Sequence, residues 1–217
     1  MLTAIATYAL LASGENPNDP RIKQAVAFLM EADIVGIYAL GMRAQVWTYL
    51  RQDAAVLRAM RKDAQLIRQG IKAGGEMSGF FDYTYNDTDK RYDHSVSQYA
   101  VLGLWALADQ MQGFNWDLMR RAWQGHQHPN GGWGYRGPDK PTASMTAAGV
   151  ASLFIIQEML NKGGGAECRG NLFDEHIDRG LQWMNDNFEH VDGRRSYYTL
   201  YGSNGSAWRR ATSISDG

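Results

Sequence analysis

Cysteine is nearly missing from this sequence: Cys168 is the only one in 217 residues. No internal disulfide can form, and a cysteine-rich zinc site is excluded. Neither sign of charge dominates, since 22 Lys+Arg stand against 23 Asp+Glu, for a net charge of -1 and a pI of about 6.5. That balance argues against a nucleic-acid groove or an anchor on an anionic membrane. No apolar run approaches the roughly 18 residues of a membrane span. Strand signals are almost absent. What is present is an ordinary globular composition, 44% hydrophobic and 21% charged, which rules out wholesale disorder. The length suffices for one large domain or two small ones with a self-sufficient core. Glycine (24), tryptophan (7) and tyrosine (11) stand out and point to tight turns with rings packed over them.

Thr3 to Ser13 is apolar and ends in small residues, like a short signal core, but no basic residue precedes it. It reads as a buried helix, and no compartment can be assigned. A turn follows at 16–20, where Asp19 is placed to cap a helix with Pro20 at its first position. From there two kinds of helix alternate. Arg21–Met30, Ala54–Lys72, Trp116–Gln124 and Asp174–Phe188 are amphipathic. Ile22, Val26, Phe28, Leu29 and Met30 form the apolar face of the first, and Phe173, Ile177, Leu181, Met184 and Phe188 that of the last. Leu2–Leu11, Tyr38–Leu50, Val96–Leu107 and Ala147–Leu160 are apolar on nearly all sides, which predicts burial on all sides. The expectation is an all-α fold of about four inner/outer helix pairs.

Tyr38, His94, Ser144 and Tyr197 stand at the starts of successive inner helices, about 50 residues apart, a spacing that marks a repeat architecture. The turns echo one another. Gly74–Tyr83 carries Gly79-Phe80-Phe81, and Asn130–Tyr135 carries Gly131-Gly132-Trp133. Glycine permits a positive φ in each, with an aromatic packed back on the turn. Gly163-Gly164-Gly165-Ala166-Glu167-Cys168 reads instead as a flexible insertion.

The string Gln127-His128-Pro129-Asn130-Gly131-Gly132-Trp133-Gly134-Tyr135 resembles the QW motif of the prenyltransferase and squalene-oxidase repeat. That repeat builds the α/α toroid of squalene-hopene cyclases, oxidosqualene cyclases and protein prenyltransferase β subunits. Pro141–Leu153 and Asp93–Trp105 resemble the family's inner helices, and the likeness extends over most of the chain to Gly202. The resemblance implies a partial toroid over residues 1–202, open as an arc. It gives Gln127, Gly131, Gly132 and Trp133 a structural role in which the Gln amide ties neighbouring helices.

The family's chemistry is harder to find. Class II terpene cyclases protonate an alkene with Asp-x-Asp-Asp, and no such string occurs. Asp87-Thr88-Asp89-Lys90 comes nearest, but it lies in a polar loop and reads as solvated. Protein prenyltransferases hold zinc through Asp, Cys and His, whereas Cys168 sits in the glycine-rich insertion, away from Asp93 and His94. His126 and His128 flank a loop and read as structural. No metal and no cofactor are expected. A cavity mouth is expected where inner-helix N-termini converge, with Asp93 and Ser144 as caps and with His94, Gln98, Tyr99, Tyr135 and Arg136 around the opening.

Two functions follow from the resemblance. One is a non-catalytic binding or scaffold module whose apolar central cavity holds an apolar or peptide ligand, joined to the remaining repeats of a longer protein. The other is an enzyme acting on polyprenyl substrates whose catalytic motif lies outside this chain. The ends bear on this. Leu2–Leu11 reads as an inner helix lacking its glycine/aromatic turn, so an earlier start is expected. After Gly202 the apolar periodicity stops. Synonymous codons for 203–217 read one nucleotide earlier give a family-like continuation, so the expectation there is a frameshift, with a disordered terminus as the alternative.

Overall fold

A computed structural model describes residues 1–110, 112–162 and 174–187. Among these the chain forms eight α-helices, and its only extended pairing is an isolated bridge between Gly36 and Thr84. In order they are α1 (Leu2–Ala12), α2 (Pro20–Glu31), α3 (Ile37–Trp47), α4 (Ala54–Gln69), α5 (His94–Ala106), α6 (Trp116–Gly125), α7 (Ala143–Asn161) and α8 (Glu175–Asp186). Short 3-10 turns occupy Gly75–Met77 and Ala108–Gln110. The all-α expectation holds. The glycine-rich insertion with Cys168, the helix start at Tyr197, the tail at 203–217, Phe173 and Phe188 lie outside the described residues.

Side-chain caps set most helix starts. Asp19 accepts from the Arg21 amide with Pro20 at the first position of α2, and Asp53, Asp93, Asn115 and Asp174 cap α4, α5, α6 and α8 in the same way. The expected cap of α7 is corrected. Thr142, not Ser144, is its N-cap, because Thr142 has the extended backbone and its Oγ1 accepts from the Met145 amide. Ser144 is buried in the first turn, 3.3 Å from that hydroxyl.

The odd-numbered helices pack in a row, α1 on α3, α3 on α5 and α5 on α7. Helix α2 lies against α1, α4 against α3 and α5, and α6 and α8 against α7. One hydrophobic core runs through them. Helices α3 and α5 approach backbone to backbone: a Cβ on Gly103 would lie 2.8 Å from Gly41 Cα. Helix α7 has the length and hydropathy of a membrane span, against the sequence expectation, but 67% of its apolar window is buried inside the protein. Burial on all sides fails for α1, where Leu2 is 81% exposed. Phe28, 58% exposed, leaves the face of α2, because Ile22, Val26 and Leu29 keep the helical spacing and Phe28 does not.

A buried clip fastens α2, α3 and α4. Arg43 pairs with Asp63 at 3.0 and 2.5 Å and donates to the carbonyls of Leu29 and Ala32. Trp47 Nε1 donates to the same carboxylate at 2.7 Å. Both charges of this cluster are thus paired away from water.

The turns before α5 and α7 are held by the same hydrogen bonds. Gly79 and Gly131 have φ of 92° and 94°. A Cβ on either would strike a backbone carbonyl of the next outer helix, Leu118 in α6 or Arg179 in α8. Two residues on, Phe81 O accepts from the amide of the cap Asp93, and Trp133 O from the amide of the cap Thr142, both at 3.0 Å. The amides of Phe81 and Trp133 donate to Ser97 Oγ (3.0 Å) and Thr146 Oγ1 (3.1 Å), each four residues beyond its cap.

Candidate functional site

Two groups of side chains gather around the start of α5. On one side Asp93 caps the helix, accepting from the amides of Ser95 (2.8 Å) and Val96 (3.2 Å) and from the Ser95 hydroxyl. Ser95 Oγ spends its hydrogen on that carboxylate and accepts from Tyr38 OH at 2.5 Å. The ring of Tyr38 lies 4.8 Å from Tyr99 and 6.1 Å from Tyr83, inclined to both. Burial raises the Tyr38 phenol well above its usual range despite the Ser95 bond, and burial raises Tyr99 too. Tyr83 is 56% exposed. Asp93 chiefly pushes its phenol up, with burial and Asp82 adding to this; Arg136 opposes them. Tyr135 acts on the same phenol. Of the expected mouth residues, Asp93 and Tyr99 therefore come together at Tyr38, while Tyr135 and Arg136 act on Tyr83 electrostatically.

On the other side lies His94, and here the expectation of an opening is corrected. His94 is 0% exposed, enclosed by Phe80, Tyr92, Trp123 and His126 at ring distances of 4.7–5.6 Å. Its Nδ1 lies 2.7 Å from Gly134 O and its Nε2 3.2 Å from His126 Nδ1. Its amide donates to Tyr135 O at 2.9 Å. Burial lowers its pKa to about 3, although the Gly134 bond acts the other way. Gln98 is buried within α5, and Ser144 within α7. A side chain one residue past a cap can face either the opening or the core, and sequence spacing does not choose between them.

The turn at 127–133 is structural. Gln127 Nε2 donates to Gly131 O (2.8 Å) and His176 O (2.7 Å), tying the turn to α8. Trp133 is fully buried, and its Nε1 donates to Trp123 O at 2.9 Å. Its ring rests where a Cβ on Gly149 or Gly180 would stand. A Cβ on Gly132 would meet Pro141 and the Trp183 ring.

The polar loop at 87–90 is organised by a lysine. Lys72 Nζ donates to the carbonyls of Asp87 (2.7 Å) and Asp89 (3.0 Å) and so fills the place a bound cation would take. Arg91 pairs with the carboxylates of Asp82, Asp87 and Asp89. Asp87 is held below the usual carboxylate range, mainly by the Asp89 amide, which is the reverse of what a proton donor needs. Among the described residues no three His, Cys, Asp or Glu side chains are grouped to hold a metal ion.

Sequence reasoning missed Tyr38, Tyr83 and Ser95 as site residues, although Ser95 stands two residues past a predicted cap. It also missed the pairing of His126 with His94, for which spacing gives no sign. No protein-family model matches the chain, and a search of curated proteins finds no match.

Proposed function

We propose that the chain is a terpenoid-cyclase/prenyltransferase-like α/α-toroid repeat module. It works as a non-catalytic binding or scaffold unit that holds an apolar or peptide ligand along its odd-numbered helices. The observation that carries the reading is the row of four apolar helices packed beside amphipathic ones, with the turns before α5 and α7 making the same hydrogen bonds about 50 residues apart. The tyrosines at the start of α5 supply ring surface with polar tips, suited to a ligand that is mostly apolar. The Asp93 carboxylate is committed to capping and to Ser95, and acts in binding by ordering the tyrosines.

The test is titration with farnesol, farnesyl diphosphate and an apolar peptide, followed by calorimetry, with products analysed by mass spectrometry. Saturable binding without conversion, weakened by Tyr38→Ala at unchanged fold, supports the module. Conversion of farnesyl diphosphate replaces it with the enzyme reading. Failure of all three probes to bind refutes both.

A further inference from the structure

The other end of the helix row holds a cavity of about 270 Å³. Along α3 it lies about 15 Å from Tyr38, the rise of ten helical residues. Thr48, Ala106 and Lys162 bring to it the C-terminal ends of α3, α5 and α7, where the backbone carbonyls favour positive charge. Gln45, only 7% exposed, lines it from within α3. Its Nε2 donates to Leu102 O at 2.6 Å, and because a carbonyl can only accept, that bond fixes which way the amide is turned. The Oε1 on the other arm receives no hydrogen bond among the described residues and stays open to the cavity. A nearly buried amide oxygen in this state is an acceptor in want of a donor.

The groups around it lean the same way. Thr48 gives its hydroxyl hydrogen to Gln45 O at 2.8 Å and has only lone pairs left to offer. Asp109 is exposed, lines the cavity, and has no hydrogen bond or ion pair among the described residues. The N–H groups of the lining are engaged elsewhere: Lys162 Nζ and Trp105 Nε1 each lie 3.4 Å from Glu158 Oε1. Two carboxylates, Asp109 and Glu158, thus stand against the one ammonium of Lys162. The apolar part of the wall includes Trp105 and the edge-to-face pair of Tyr8 and Tyr49, whose rings are 5.9 Å apart.

We propose that this cavity binds a protonated primary amine on a short alkyl chain, the group common to a lysine side chain and a free alkylamine. Its N–H groups are shared between Gln45 Oε1 and Thr48 Oγ1, and its charge is turned toward Asp109. The rings suit both parts of the ligand, since they pack the alkyl stem and attract a cation. The volume lies below the range of about 300–1,000 Å³ for larger organic ligands, so it admits a head group and not a long chain. A hard divalent cation would need about six oxygens or more, which this lining does not bring together. The site is separate from the tyrosines at the start of α5 and stands whether or not they hold a ligand.

Nuclear magnetic resonance titration of the nitrogen-labelled chain tests the proposal, read at the Gln45 side-chain amide and the Trp105 indole N–H. The probes are n-butylammonium, for a free amine, and N-acetyl-lysine amide, for a side chain. Both signals should shift and saturate in the millimolar range or tighter, as befits ligands of this size, and the tighter probe names the source of the amine. Butyltrimethylammonium keeps the charge and the chain but has no N–H, so it tests the Gln45 acceptor without altering the protein. It should bind about tenfold more weakly or worse, the loss expected for a charged hydrogen bond. n-Butanol, which keeps a donor without the charge, should be weakened at least as much. Asp109 is exposed, so Asp109→Asn spares the fold, and it should weaken the ammonium probes about threefold, as for an ion pair open to water. Failure of both ammonium probes to saturate, saturation that leaves the Gln45 and Trp105 signals unmoved, a quaternary or alcohol probe that binds as tightly, or unchanged affinity in Asp109→Asn overturns the proposal.

Discussion

The turn before α5 and the turn before α7 perform one task with different means. Each places a glycine at positive φ against the next outer helix, and each closes on the cap and on a hydroxyl four residues beyond. In the first turn Phe80 and Phe81 fill the space, and Phe80 packs against a histidine pair. In the second, Trp133 fills it alone, seated on Gly149 and Gly180 and anchored through Nε1. The two turns share their backbone bonds. The side chains behind them are free to diverge, and it is the first turn that packs against the buried histidine pair.

Removing the rings should give the largest effect. Trp133→Ala and Phe81→Ala should each cost about 3–5 kcal/mol in chemical denaturation, with Trp133 the more costly because glycines cannot refill its seat. Equal losses would mean that the Nε1 anchor contributes nothing. Trp133→Phe isolates that anchor.

Alanine at the paired glycines comes next. Gly79→Ala and Gly131→Ala both force a side chain into positive φ, a strain of about 1–3 kcal/mol. Gly131→Ala should be worse, because its Cβ would overlap Arg179 O more deeply than a Cβ at Gly79 overlaps Leu118 O. Similar values would show that α8 gives way as readily as α6.

Acid should separate the turns further. His94 titrates near 6.5 when unfolded and at about 3 in the native state. The unfolded chain therefore binds more protons below neutrality, and stability falls as pH drops from about 6.5 toward 3. The slope should approach 1.4 kcal/mol per pH unit for this one group. His126, lowered in the same direction, adds to it. His94→Phe should flatten the profile between pH 6.5 and 4.5, before carboxylates contribute (about pH 4). An unchanged slope in that variant would remove His94 as its source.

Much of this was legible in the sequence. The alternation of nearly all-apolar and amphipathic stretches located all eight helices, because a helix buried on most sides can keep a charge only where a partner meets it, as Asp63 meets Arg43 in α3. The glycine and aromatic signatures located both turns. Three things were hidden. Thr142 and Ser144 are both good cap types, and only the backbone decides which one leaves the helix. His94 sits next to a cap, where a small rotation separates the core from the opening. Arg43 and Asp63 meet across helices α3 and α4, and no local pattern announces such a pair.

The smallest effect divides the two caps. Thr142 Oγ1 accepts one amide, that of Met145 at 3.2 Å, so Thr142→Ala should cost about 1 kcal/mol. Asp93 accepts two amides and the Ser95 hydroxyl, so Asp93→Ala should cost about 2 kcal/mol, the upper end for a cap. Asp93→Asn separates capping from charge. Asn caps as well as Asp, so stability should stay within about 0.5 kcal/mol. The charge that chiefly raises the Tyr83 phenol is gone in that variant, and the Tyr83 pKa should fall toward the usual tyrosine value. Ultraviolet titration reads this directly, since Tyr83 is the most exposed ring of the cluster. A Tyr83 midpoint that does not move in Asp93→Asn would detach the tyrosine cluster from the cap of α5, leaving Asp93 a helix cap and nothing more.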